Sequence, residues 1–170
     1  DWRAHERWLA TMENHRTAVD GATVHVARAR SRHTGALPLV LLHGWPATVG
    51  EFRPVVAPLH DPVAHGGDAA DAFDVVLVSL PGFGFSGPLH TAGWDADRMA
   101  QVIAVALGEL GIERYGVSGT DAGAYVATSL AAHAPHAVVG LHLHLGGVAL
   151  ARQARADAAL VADATDAERA

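Results

Sequence analysis

The chain has 170 residues, half of them apolar, and a mean hydropathy slightly above zero. That is enough to bury one domain's core and too apolar for a disordered segment. Its net charge of −6 (12 Lys and Arg against 18 Asp and Glu) carries no basic cluster, which argues against a nucleic-acid partner, and the absence of cysteine excludes disulfides and thiolate metal sites.

Residues 1–20 are polar with scattered tryptophans, Trp2 and Trp8, and read as a helix or an irregular wrapping segment. Asp20-Gly21 signals a turn, and Thr23 to Ala27 alternates with period two, as a half-exposed strand does. Leu37 to Leu42 is nearly all apolar and predicts a strand buried on both faces. A helix follows on the spacing of Phe52, Val55, Val56 and Leu59. Thr48 and Glu51 are placed for a capping box, whereas Pro54 argues for a start nearer Glu51; both boundaries stand.

Residues 60–72 read as a polar loop around Gly66-Gly67, and Phe73 to Leu80 as a second buried strand closed by Pro81-Gly82-Phe83-Gly84. The stripe Met99, Val102, Ile103, Ala106, Leu107 and Leu110 predicts a helix, with Asp95 or Asp97 as its cap and Gly111 as its stop. A short strand over 115–118, a helix through about Ala132 and a third long strand from Val138 to Leu145 complete the pattern. Such alternation predicts an α/β fold with a mostly parallel sheet covered by helices on both faces. No uninterrupted run of about 18 apolar residues is present, so no membrane span is expected. The chain opens on Asp1 rather than Met and closes on an alanine-rich charged stretch over 151–170. It is expected to be an internal piece of a longer protein, in a compartment the sequence leaves open, with the cytoplasm favoured.

Gly119-Thr120-Asp121-Ala122-Gly123 sits between the short strand and a small-residue helix, where a strand-to-helix elbow would carry a serine nucleophile. A carboxylate there suits displacement at a saturated carbon, leaving an alkyl ester on the protein. The plainer reading of Asp121 is a helix N-cap, and in either role the helix N-terminus favours its anion. His43-Gly44-Trp45-Pro46 ends the first buried strand on the edge where open α/β sheets bind ligands. The backbone N–H groups of Trp45 and Ala122 are candidates for an oxyanion hole; an ordinary turn with Trp45 packed is the alternative. Together, in this order and each after a strand, the two motifs favour the catalytic reading.

Phe83 and Phe85 either wall a pocket with His43, Gly44 and Pro46 or simply cover the core. His142 and His144 share a strand face, but no third ligand stands at a telling spacing, so no metal is expected. His133 and His136 lie at the far end of the nucleophile helix, about 18 Å or more from Asp121 at 1.5 Å per residue. His142 and His144 come too early in the hydrolase order, in which the catalytic histidine is last. The base is therefore expected outside this chain.

These motifs, in their order, resemble the epoxide hydrolases of the α/β-hydrolase fold, specifically the microsomal and juvenile-hormone branch. The carriers are Asp1-Trp2-Arg3 with Glu6, Asp20-Gly21 followed by Val24-His25-Val26, His43-Gly44-Trp45-Pro46, Glu51-Phe52, Ser79 to Ser86 and Gly140 to Leu143. The resemblance implies three regions: the end of an N-terminal epoxide-hydrolase segment over 1–20, the first part of the hydrolase core over 21–148, and the helical start of a cap over 149–170. It further implies a small-molecule epoxide and water as reactants, no cofactor, Asp121 as nucleophile, and a cis bond before Pro46. Two cap tyrosines and a His–acid pair would lie beyond Ala170. The family usually has Trp directly after the nucleophile, and this chain has Ala122. The oxyanion donor survives that change while a pocket wall is lost, which also counts against the sibling haloalkane dehalogenases. A dehalogenase, or a non-catalytic binding domain on the same scaffold, remains the alternative.

Overall fold

The computed structural model describes residues 1–144, so the expected cap start over 149–170 and the end of the last strand at Leu145 lie outside the described residues. Six strands form one sheet: β1 (Glu13–Val19), β2 (Ala22–Ala29), β3 (Leu37–Leu42), β4 (Phe73–Ser79), β5 (Tyr115–Thr120) and β6 (Val138–His144), in the order β1-β2-β4-β3-β5-β6. β1 and β2 pair antiparallel, as do β2 and β4, while β4-β3, β3-β5 and β5-β6 are parallel. Four α-helices, α1 (Trp2–Leu9), α2 (Arg53–His60), α3 (Ala96–Glu109) and α4 (Ala122–His133), accompany the sheet, with short 3₁₀ turns in the connections. The architecture is that of an α/β-hydrolase.

The central strands divide the core in two because successive side chains point to opposite faces. On one face Val40, Leu42, Val76, Val78 and Val117 pack under α3 and α4, contributed by Ile103, Leu107, Val126 and Leu130. On the other, Leu41, Val75 and Leu77 meet Phe52 and Val56, with Trp8 and Leu9 of α1 alongside. α3 is capped by Asp95, whose carboxylate accepts the Arg98 N–H at 2.9 Å, and Gly111 at φ +70° closes the turn after it.

Three expectations need correction. The stretch 1–20 is a helix followed by a strand. β1 has no apolar alternation because it pairs on one side only among the described residues and is wet along most of its length. β2 is mostly buried rather than half-exposed, since β1 and β4 flank it, and even His25 is only 3% exposed. The capping box does not form: Thr48 Oγ1 accepts from the Gly50 N–H and caps a 3₁₀ turn over Val49–Phe52, while Glu51 Oε1 accepts the Thr120 hydroxyl at 2.9 Å. α2 then starts at Arg53, with Pro54 in its first turn.

Candidate active site

The elbow between β5 and α4 is sharp and strained. Asp121 adopts φ +47° and ψ −116°, a conformation of the kind that costs non-glycine residues about 1–3 kcal/mol. Its two flanking glycines are there for space. A Cβ on Gly119 would stand 2.3 Å from the Gly123 carbonyl oxygen, and one on Gly123 would stand 2.2 Å from that of Leu42. The start of α4 is thus drawn onto the end of β3, which brings Asp121 beside the His43–Pro46 turn.

Asp121 precedes the helix, but its side chain makes no capping bond to it. The carboxylate reaches across to β3's turn, where Oδ1 accepts the Trp45 N–H at 3.0 Å. Gly44 permits this approach, since a Cβ there would lie 2.8 Å from Asp121 Cβ. The Trp45–Pro46 bond is cis. The Trp45 amide, and after it the Ala122 amide, hold the exposed Asp121 carboxyl below the usual carboxylate range, against a smaller opposing effect of desolvation. Two backbone donors and an ionised oxygen pair therefore converge at the carboxyl edge of the parallel strands.

His43 lies beneath this edge, wholly buried. Leu80 donates its N–H to Nε2 at 3.1 Å, so Nδ1 carries the proton and donates to the Gly44 carbonyl at 2.9 Å. Burial pushes the imidazole pKa down, opposed by the Gly44 bond and the charge of Glu51. A neutral ring thus ties the end of β3 to that of β4. Phe83 stands edge-on to it at 5.6 Å between centroids. Pro46 and Trp45 are exposed at the surface.

Phe83 and Phe85 face different spaces. Phe83 lines a cleft of about 390 Å³ beside the elbow with Leu80, Trp94, Met99, Ala122 and Tyr125. Phe85 turns the other way, onto His25 at 5.0 Å, and borders a separate groove against α1. A roomier cleft of about 560 Å³ opens at the opposite edge of the sheet, around Tyr115, His133 and His136. It lies at the amino end of the strands, away from the convergent amides. His142 and His144 share a face of β6, their rings 5.4 Å apart, and His142 Nδ1 is 2.9 Å from Ser118 Oγ.

Reasoning from sequence assigned neither His25 nor the first turn of α3 a part in the site. Asn14 commits its amide nitrogen to the carbonyls of Leu9 and Met12, so its Oδ1 accepts from His25 Nε2 at 3.0 Å, and Nδ1 accepts the Ser79 hydroxyl at 3.0 Å. Ser86 receives the His25 N–H and donates to the Ser79 carbonyl. One buried, neutral imidazole therefore joins β1, β2, β4 and the Phe83–Ser86 loop. A polar residue at an alternating strand position was the only available signal.

A mostly parallel sheet with a strained strand-to-helix elbow and amide donors facing it defines an α/β-hydrolase site, here with a carboxylate at the elbow. The chain belongs to the α/β-hydrolase fold family, whose profile matches residues 38–169, and residues 1–52 match the epoxide hydrolase N terminus. It is 46% identical over 144 residues to a protein of Stigmatella aurantiaca (strain DW4/3-1) named "Putative epoxide hydrolase", covering 85% of this chain and 33% of that protein. Epoxide hydrolase 1 of Oryctolagus cuniculus is 30% identical over 149 residues, with the same coverages. Among solved structures, the juvenile hormone epoxide hydrolase of the silkworm Bombyx mori superposes with a TM-score of 0.72 at 28% identity, over 84% of this chain and 38% of that one. The chain spans about a third of the length of these curated relatives.

Proposed function

We propose that this chain carries the nucleophile and oxyanion donors of an epoxide hydrolase, converting a small-molecule epoxide and water to a vicinal diol. The observation that carries the reading is the Asp121 carboxylate, held by the Trp45 N–H at 3.0 Å instead of capping its own helix. One carboxylate oxygen is fixed by that amide, which leaves the other to attack. It displaces the ring oxygen from a carbon of the epoxide, forming an ester C–O bond as the ring C–O bond breaks, and the released alkoxide takes up a proton. Water then adds to the Asp121 carbonyl carbon, giving up its proton to a base. The Trp45 and Ala122 amides stabilise the resulting oxyanion, and collapse returns the carboxylate and frees the diol.

The parts this scheme still needs are a proton donor for the alkoxide and a base for the water. Among the described residues no histidine ring is hydrogen-bonded to the Asp121 carboxylate. We assign the base and the donor to residues outside those described, in keeping with the late histidine of the hydrolase order.

The test is chemical trapping. Incubating this chain with styrene oxide, digesting it and weighing the peptides should show one added epoxide mass on the peptide containing Asp121. Asp121→Asn, verified by mass to remain an amide, should show none. Undiminished diol formation by that amide variant of the protein that carries this chain would exclude Asp121 as nucleophile.

A further inference from the structure

The cleft beside the elbow has a consistent chemistry. Ala122, Tyr125 and Val126 of α4 lie at helical spacing on one side, directly after Asp121. Leu80 and Phe83 close the β4 end, and Trp94, Ala96 and Met99 supply the wall from α3's start. The wall is fixed: Trp94 donates its Nε1–H to Thr91 Oγ1 at 3.1 Å, and the Arg98 guanidinium stacks on its ring at 4.2 Å. The one acidic residue on the rim, Asp95, spends its Oδ1 on the Arg98 N–H. Apart from that rim the lining is aromatic and aliphatic, and the cleft measures about 390 Å³. Ala122 adds only a methyl group to this lining, and Asp121, which bears the carboxylate, is its neighbour in the chain.

We propose that the cleft holds the hydrocarbon substituent of the substrate and that the small side chain of Ala122 sets its depth, so that long-chain apolar epoxides are the substrate class. This rests on the reading of Asp121 as an epoxide-opening nucleophile and adds to it the side of the carboxylate on which the substituent lies. An apolar tail seated there displaces water from the half-buried Phe83, Trp94 and Met99, and transition-state binding grows with each methylene until the cleft is full.

A homologous series tests it, using the intact protein that carries this chain. On terminal epoxides from propylene oxide to decene oxide, kcat/KM should rise roughly fourfold per added methylene and then level off. In Ala122→Trp, and separately in Met99→Phe, both checked for folding by circular dichroism, the rise should flatten to nearly none beyond butene oxide. A series without chain-length dependence in the wild type, or the same slope kept in both folded variants, would overturn the assignment. An arm without turnover separates this from the underlying reading: linear alkyl amides binding to Asp121→Asn, followed by calorimetry, should tighten by a similar factor per methylene and lose that gain when Ala122→Trp is added. Amide binding with that dependence but no epoxide hydrolysis would remove the epoxide reading and leave the cleft as a site for alkyl chains. Epoxide hydrolysis indifferent to chain length would remove the cleft alone.

Discussion

Gly44 and Gly123 both make room around Asp121, yet what each touches predicts different losses. A Cβ on Gly123 would meet the carbonyl oxygens of Leu42 and His43 at 2.2 and 2.6 Å, backbone atoms of a central strand that cannot step aside. Gly123→Ala should therefore cost stability, on the order of 1–3 kcal/mol or more as an overpacked site, and lower the urea midpoint clearly. The three atoms nearest a Cβ on Gly44 all belong to the Asp121 side chain, with Cβ at 2.8 Å and Oδ1 at 3.2 Å. The exposed carboxylate can turn away, but Asp121 Cβ moves only with the backbone of the elbow, so Gly44→Ala should lower the melting midpoint, though less than Gly123→Ala does. It should break the Trp45–Asp121 hydrogen bond and slow Asp121 alkylation by roughly 100-fold, the scale of an ångström misplacement of a reacting group. Equal and small effects of the two substitutions on stability would contradict this division.

At the level of elements, His25 is the joint between β1, β2, β4 and the Phe83–Ser86 loop, and it should make the fold acid-sensitive. Burial, with the charge of Arg16, lowers its pKa to about 4 from the ordinary imidazole value of 6.5. Between those two values the unfolded chain binds a proton that the folded one does not, so stability is full above 6.5 and falls as pH drops towards 4. His43, lowered in the same direction by burial, adds to the loss. Urea midpoints at pH 7 and pH 4.5 should differ, and the difference should shrink in His25→Gln without vanishing, because His43 remains. The same joint shows what could be read in advance. β3, β4 and α3 were legible because burial on both faces, or along one stripe, selects apolar runs. β1 was not, because an edge strand wet along most of its length keeps no hydrophobic period. β2 was underestimated because its buried imidazole is satisfied by Asn14 and Ser79, which are distant in sequence. The elbow and the Trp45 turn stood out because each follows a strand directly. The cleft did not, since its wall comes from the first turn of α3 and its significance from the smallness of Ala122.

Across the whole molecule the sheet ends in two unlike edges, β1 and β6, each paired on one side among the described residues. β1 carries Glu13 and Arg16 and has Arg30 bonded to Glu13, the charged dressing that discourages a second chain from pairing. β6 reads Val-Val-Gly-Leu-His-Leu-His, without an Asp, Glu, Lys or Arg, and Val139 and Leu141 are 44% and 40% exposed. An open row of backbone groups beside exposed apolar side chains is a template for strand addition. The 170-residue chain on its own should therefore self-associate with rising concentration, and it should do so through β6. Leu141→Lys places a charge on that edge and should lower the associated fraction severalfold in sedimentation velocity. Arg16→Thr on β1 should leave it nearly unchanged. The two substitutions differ in which end of the sheet they alter, so association that ignores Leu141→Lys would move the contact away from β6. A chain that stays monomeric at high concentration would show that β6 is covered.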